Sequence, residues 1–145
     1  MDWKREAVND LKRFQPQKDS LENIKARIQA LKAQYGAIKC SMGDSTPVKG
    51  GASRIEDRLL DNIVERQRLT YTYRATERLV ELVERGLSGL DERELRILEL
   101  FYIRGAKGNV ERLMEELDLE KTRLYELKDD ALYKFTVREY GLPDY

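Results

Sequence analysis

Apolar residues recur at three- and four-residue spacing along most of this chain, the signature of amphipathic helices. Trp3, Ala7, Val8, Leu11 and Phe14 fall on one face and predict a helix over residues 2–14. Pro16 is expected to end it, because the residue before a proline disfavours the helical basin. Leu21, Ile24, Ile28, Leu31, Tyr35 and Ile38 follow at spacings of 3, 4, 3, 4 and 3. That heptad seam predicts a second helix over 18–39, with Asp19 or Ser20 as its N-cap. A seam of this kind needs a partner helix. Either a second copy of the chain supplies it, which makes the six residues an oligomerisation surface, or residues 55–83 of the same chain do.

Residues 40–53 break the pattern with Gly43, Pro47, Gly50 and Gly51 among Ser, Thr and Asp, and read as a flexible linker. The helical period returns over 54–86, where Ile55, Leu59, Ile63, Leu69, Tyr73, Thr76, Leu79, Val80 and Val83 form a broad stripe. Ser53 and Glu56 have capping-box spacing, and Gly86 and Gly89 are stop signals. Three shorter helices are predicted over 90–140. Asp91 caps the first, with Leu95, Leu98, Phe101 and Tyr102 inward. The second covers about 109–117, with Val110, Leu113, Met114 and Leu117 inward. A turn, Asp118 to Glu120, leads to the third, whose inward residues are Leu124, Leu127, Ala131, Leu132 and Phe135. No alternating β-branched run marks a strand. The expected fold is all-α: a helical hairpin or coiled-coil module over 1–86 and a three-helix domain over 90–140.

Composition narrows the function. Charged residues make up 37% of the chain, which suits helices with solvated faces. No apolar run approaches the length of a membrane span. Residues 1–10 lack the apolar core of a secretory leader, so a cytoplasmic protein is expected. Cys40 is the only cysteine and there is no histidine, so a cysteine nucleophile would lack its usual base. Carboxylates are scattered along helix faces, and Gly105–Asn109 lacks the spacing of a phosphate loop. The expectation is a non-enzyme without metal or cofactor. Trp3 reads as core or interface.

The formal net charge of zero is unevenly spread. Residues 1–50 carry ten Lys/Arg against six Asp/Glu, and residues 90–145 carry ten against fourteen. Lys4, Arg5, Lys12, Arg13, Lys25, Arg27 and Lys32 supply the N-terminal excess and read chiefly as solvated helix faces.

The C-terminal pattern resembles region four of bacterial sigma factors. The stretch from Leu90 to Tyr102 looks like that region's opening helix. Leu113, Leu117 and Leu119 match the next helix and turn, and Leu124, Leu127, Ala131, Leu132 and Phe135 match the core of its recognition helix. With the Gly-rich stretch Lys49 to Ser53 and a long helix before it, the chain is similar to the ArpU/RinA-type regulators of phage late genes. The resemblance implies a helix-turn-helix regulator of the bacterial host cell that binds double-stranded promoter DNA alongside RNA polymerase. Two places depart from the sigma pattern. Asp129 and Asp130 stand where basic residues are usual, and Glu126 stands where the base-facing residue is usually uncharged.

In helix-turn-helix docking the first exposed residues of the second helix reach base edges. Here those are Lys121, Thr122, Arg123, Tyr125 and Glu126, with Arg123 able to engage guanine bidentately and Glu126 able to accept from cytosine. Lys107, Arg112 and Lys128 would face phosphate. The competing reading of the same residues is a solvated face on a packed helical unit. Two rival functions use the same helices. A small-terminase-like packaging protein would form a large ring, and a protein-binding adaptor would not read DNA. A dimer is the favoured assembly, since a single such domain reads only a short half-site.

Overall fold

The computed structural model describes residues 2–42 and 51–141, and the fold is all-α. Five helices follow in order: α1 (Trp3–Met42), α2 (Gly51–Leu87), α3 (Glu92–Leu98), α4 (Asn109–Leu117) and α5 (Lys121–Tyr140), with a π-helical turn, Glu99–Ile103, directly after α3. Among the described residues there is no strand, and no helix is long and apolar enough to cross a membrane. The expected linker falls largely on residues 43–50, which lie outside the described residues.

α1 runs unbroken through Pro16, contrary to the expected break. A proline inside a helix removes one hydrogen bond and crowds the carbonyl four residues earlier. Here Pro16 is exposed, as is Lys12, so the carbonyl it frees lies on the water side of the helix. Asp19 and Ser20 are therefore interior residues of α1, not caps. Likewise α2 begins at Gly51, so Ser53 does not start it, and it continues past Gly86 to Leu87. Gly86 serves packing instead of termination. A Cβ at this position would sit 2.6 Å from a ring carbon of the fully buried Phe135.

The chain forms two compact units. One comprises residues 19–77, and the other residues 1–18 with 78–145. In the first, the C-terminal part of α1 and the N-terminal part of α2 run antiparallel. Arg27 pairs with Glu65 at 3.8 Å, and the Asn62 amide donates to the Leu31 carbonyl at 2.8 Å. The Arg66 guanidinium donates to Asn62 at 2.8 Å and lies 4.9 Å over the Tyr35 ring. Ile24, Ile38 and Leu69 are buried, and Leu21, Ile28, Leu31 and Tyr35 are half-buried. Buried Asn62 is tolerated because both ends of its amide are satisfied.

The other unit is built on Ala7, Leu11, Phe14, Val80, Val83, Leu90, Ile97, Leu98, Leu113, Leu124, Ala131, Leu132 and Phe135, all buried. Trp3 packs against Tyr140, the rings tilted at 45° with centroids 5.0 Å apart. Arg138 donates to the Arg85 carbonyl at 2.8 Å, tying α5 to the end of α2.

Candidate nucleic-acid interface

Four local devices position the start of α5. The first is the cap of α3. Asp91 accepts from the Glu94 backbone N–H at 2.8 Å, while the Glu94 carboxylate accepts from the Asp91 N–H at 3.3 Å. The backbone hydrogen bond from Glu94 holds the Asp91 carboxyl below its ordinary range. Glu94 is nearly buried and pairs with Lys134 at 3.0 Å, which clamps α3 to α5 and raises the Lys134 pKa.

The second device is the π turn. Arg104 N–H returns five residues to the Glu99 carbonyl at 2.7 Å. This wider turn shifts the apolar positions that follow Leu98. The sequence pattern points to Leu95, Leu98, Phe101 and Tyr102 as the inward face, but the buried residues are Ile97, Leu98 and Leu100, with Leu95, Phe101 and Tyr102 half-buried. The third device is Asn109, whose amide donates to the Leu100 and Arg104 carbonyls, each at 2.9 Å. These are carbonyls left over at the end of the π turn. Gly108, at φ 86°, makes the left-handed step that lets α4 start there.

The fourth device is the turn between α4 and α5. Asp118 takes the left-handed conformation, φ 53° and ψ 53°, and the Leu119 N–H returns to the Met114 carbonyl at 3.0 Å. Leu119 and Met114 both pack on the cluster Ile97, Leu100, Leu113, Leu124 and Leu127. A non-glycine residue pays about 1 kcal/mol in this basin. Asp118→Gly is therefore expected to raise stability by about 0.5–1 kcal/mol, read as an upward shift of the urea midpoint with an unchanged slope.

These devices leave Lys121, Thr122, Arg123, Tyr125 and Glu126 exposed on the first turns of α5, above buried Leu124 and Leu127. Lys107 and Arg112 are also exposed and hold no ion pair among the described residues. Arg123, Glu126 and Lys128 are engaged. Arg123 pairs with Glu126 at 3.1 Å. The Lys128 side chain is only 16% exposed, with its ammonium 5.0 Å over the Tyr125 ring, 5.5 Å over the Phe101 ring and 3.2 Å from Asp129. Phe101 meets Tyr125 edge-on at 5.6 Å. Tyr125 is thus held by an aromatic neighbour on one side and a cation on another, an ordering that spacing along α5 does not reveal. Asn109 and Glu94 are the positioning residues that sequence reasoning missed, while Phe101 was read only as an inward residue. For Asn109, an amide side chain directly after a glycine was the available signal.

The acids are exposed too. Glu111, Glu115, Asp118 and Glu120 face solvent around α4, and Glu116 binds Arg96 at 3.2 Å. Asp129 is neighboured by Lys128 and, at 4.0 Å, by Lys4. No protein-family model, curated protein or solved structure matches this chain.

Proposed function

We propose that the chain is a sequence-specific DNA-binding regulator of transcription, with α4, the Asp118–Glu120 turn and α5 acting as a helix-turn-helix and α5 entering the major groove. The observation that carries this reading is the start of α5. Lys121, Thr122, Arg123 and Tyr125 project together from a helix held on two sides, by the Leu124 cluster below and the Glu94–Lys134 clamp behind. Such an arrangement holds a few side chains in register without flexible loops, which is what base readout requires. Lys121, Thr122, Tyr125 and Glu126 are the base-facing set, joined by Arg123 once it exchanges Glu126 for guanine. Lys107 and Arg112 are the phosphate contacts. Lys128 acts mainly by ordering Tyr125, since its charge is already shared among two rings and Asp129.

The resemblance to phage late-gene regulators extends the proposal to promoter DNA and a role beside RNA polymerase. The exposed acids around α4 suit that second contact, because they repel phosphate and attract a basic protein surface. The same acids favour the adaptor reading over the packaging one, should DNA affinity prove weak and independent of sequence.

The test is the double variant Lys121→Ala/Arg123→Ala. Both residues are exposed, so helicity and stability should be unchanged. Binding to a selected duplex should fall by at least about thirtyfold, on the scale of about 1–3 kcal/mol for each base contact. Fluorescence anisotropy at physiological salt measures it, and unchanged affinity would sink the assignment.

A further inference from the structure

α2 carries an apolar face that nothing in its own unit covers. Leu60, Val64 and Tyr71 are 58%, 55% and 75% exposed. Their spacing of four and seven residues puts them on one side of the helix. Each of Asn62 and Leu69, which face α1, lies two positions from one of them, about 200° around the axis, so the stripe points away from α1. Its borders are charged in sequence order. Asp57 and Asp61 flank the N-terminal end and Arg74 flanks the C-terminal end, all three exposed, while Arg68 near the middle is held by Glu65 at 2.6 Å. Asp57, Asp61 and Arg74 hold no ion pair among the described residues.

We propose that this face of α2 is the surface on which a second copy of the chain docks, with the two α2 helices antiparallel. The charge order selects both occupant and direction. An antiparallel copy lays its acidic end over the basic end of the first and brings the apolar stripes together about a two-fold axis near Gln67 and Arg68. A parallel copy stacks like charge on like charge at both ends. Self-complementary charge of this kind is what an isologous interface needs, since every patch must meet its own mate. The surface differs from the Leu21–Ile38 seam, whose residues are buried or half-buried within the chain. It also stands apart from the DNA-binding reading, because its variants leave α5 untouched.

Sedimentation of the full chain at tens of micromolar tests it, together with Val64→Glu/Tyr71→Glu. The wild-type chain should sediment near twice its 17.0 kDa mass, and the variant near one chain with unchanged helicity. A single-chain mass for the wild type overturns the proposal. A two-chain mass retained by the variant overturns it as well, since another face then holds the copies. Orientation is tested in a Cys40→Ser background. Chains carrying Leu60→Cys should cross-link to chains carrying Ala75→Cys, and neither should cross-link to itself. Self-linking of the Leu60→Cys chain, or no cross-linked product in the mixture, contradicts the antiparallel pairing.

Discussion

Leu124→Ala is expected to lower the unfolding free energy by about 2–5 kcal/mol, the range for emptying a buried leucine site. Leu124 is fully buried where α3, α4 and α5 meet, in contact with the cluster of Ile97, Leu100, Leu113 and Leu127. Three constraints keep that site from collapsing around the void. The α3 capping box and the Glu94–Lys134 pair hold one wall, the Asn109 amide holds the second, and the left-handed Asp118 turn holds the third. The loss should therefore fall in the upper half of the range. Urea unfolding followed by far-ultraviolet circular dichroism measures it. A cost below about 1 kcal/mol would mean that the three helices are not packed on one core. Because the same core carries the exposed start of α5, DNA binding should fall with the folded fraction and recover as temperature is lowered.

Glu139→Gln is expected to stabilise the protein at alkaline pH and to flatten its pH dependence. Both Glu139 carboxylate oxygens are buried and accept no hydrogen bond. Burial first, and then the neighbouring Asp10, push its pKa up to about 9. Asp10 is itself an acceptor for the Tyr140 hydroxyl, whose pKa is also pushed up, first by burial. A proton on Glu139 relieves its repulsion with Asp10. The folded pKa lies above the unfolded one, near 4.5, so the folded state binds the extra proton between the two values. Stability from this group is complete below about pH 4.5, declines as pH rises, and is gone above about pH 9. Glutamine keeps a neutral donor throughout. At pH 8.5 the variant should be more stable by roughly 1–2 kcal/mol, a discounted figure because the carboxyl is partly screened by solvent. Thermal unfolding at pH 5 and pH 8.5 reads the difference. Equal melting shifts of wild type and variant across that interval would contradict the account.

How far the sequence carried the fold depends on whether spacing along one helix was enough. α4, its following turn and the start of α5 were legible because their signals are local. Gly108 precedes the helix, an acid follows it, and Leu113, Leu124, Leu127, Ala131, Leu132 and Phe135 keep a helical period that the structure buries as read. The break expected at Pro16 failed because a proline's cost depends on whether its freed carbonyl reaches water, which only the position of the helix decides. Gly86 read as a stop because its partner, Phe135, is 49 residues away in the chain. Beyond Leu98 the inward face was misread because the π turn, which leaves no compositional mark, shifts the phase there and buries Leu100.

The candidate site divides in the same way. Exposure of Lys121 to Arg123, Tyr125 and Glu126 follows from the buried positions Leu124 and Leu127 between them. The Arg123–Glu126 pair was also within reach, since three-residue spacing on a helix brings such charges together. The placing of Lys128 over two rings was not, because Phe101 arrives from another helix.

The most direct test of DNA reading by α5 is selection from a random duplex library by the purified full-length chain at physiological salt, sequenced beside Lys121→Ala/Arg123→Ala. The account predicts an enriched motif that disappears with the double variant. No enrichment, or a motif that survives the loss of both residues, would contradict it.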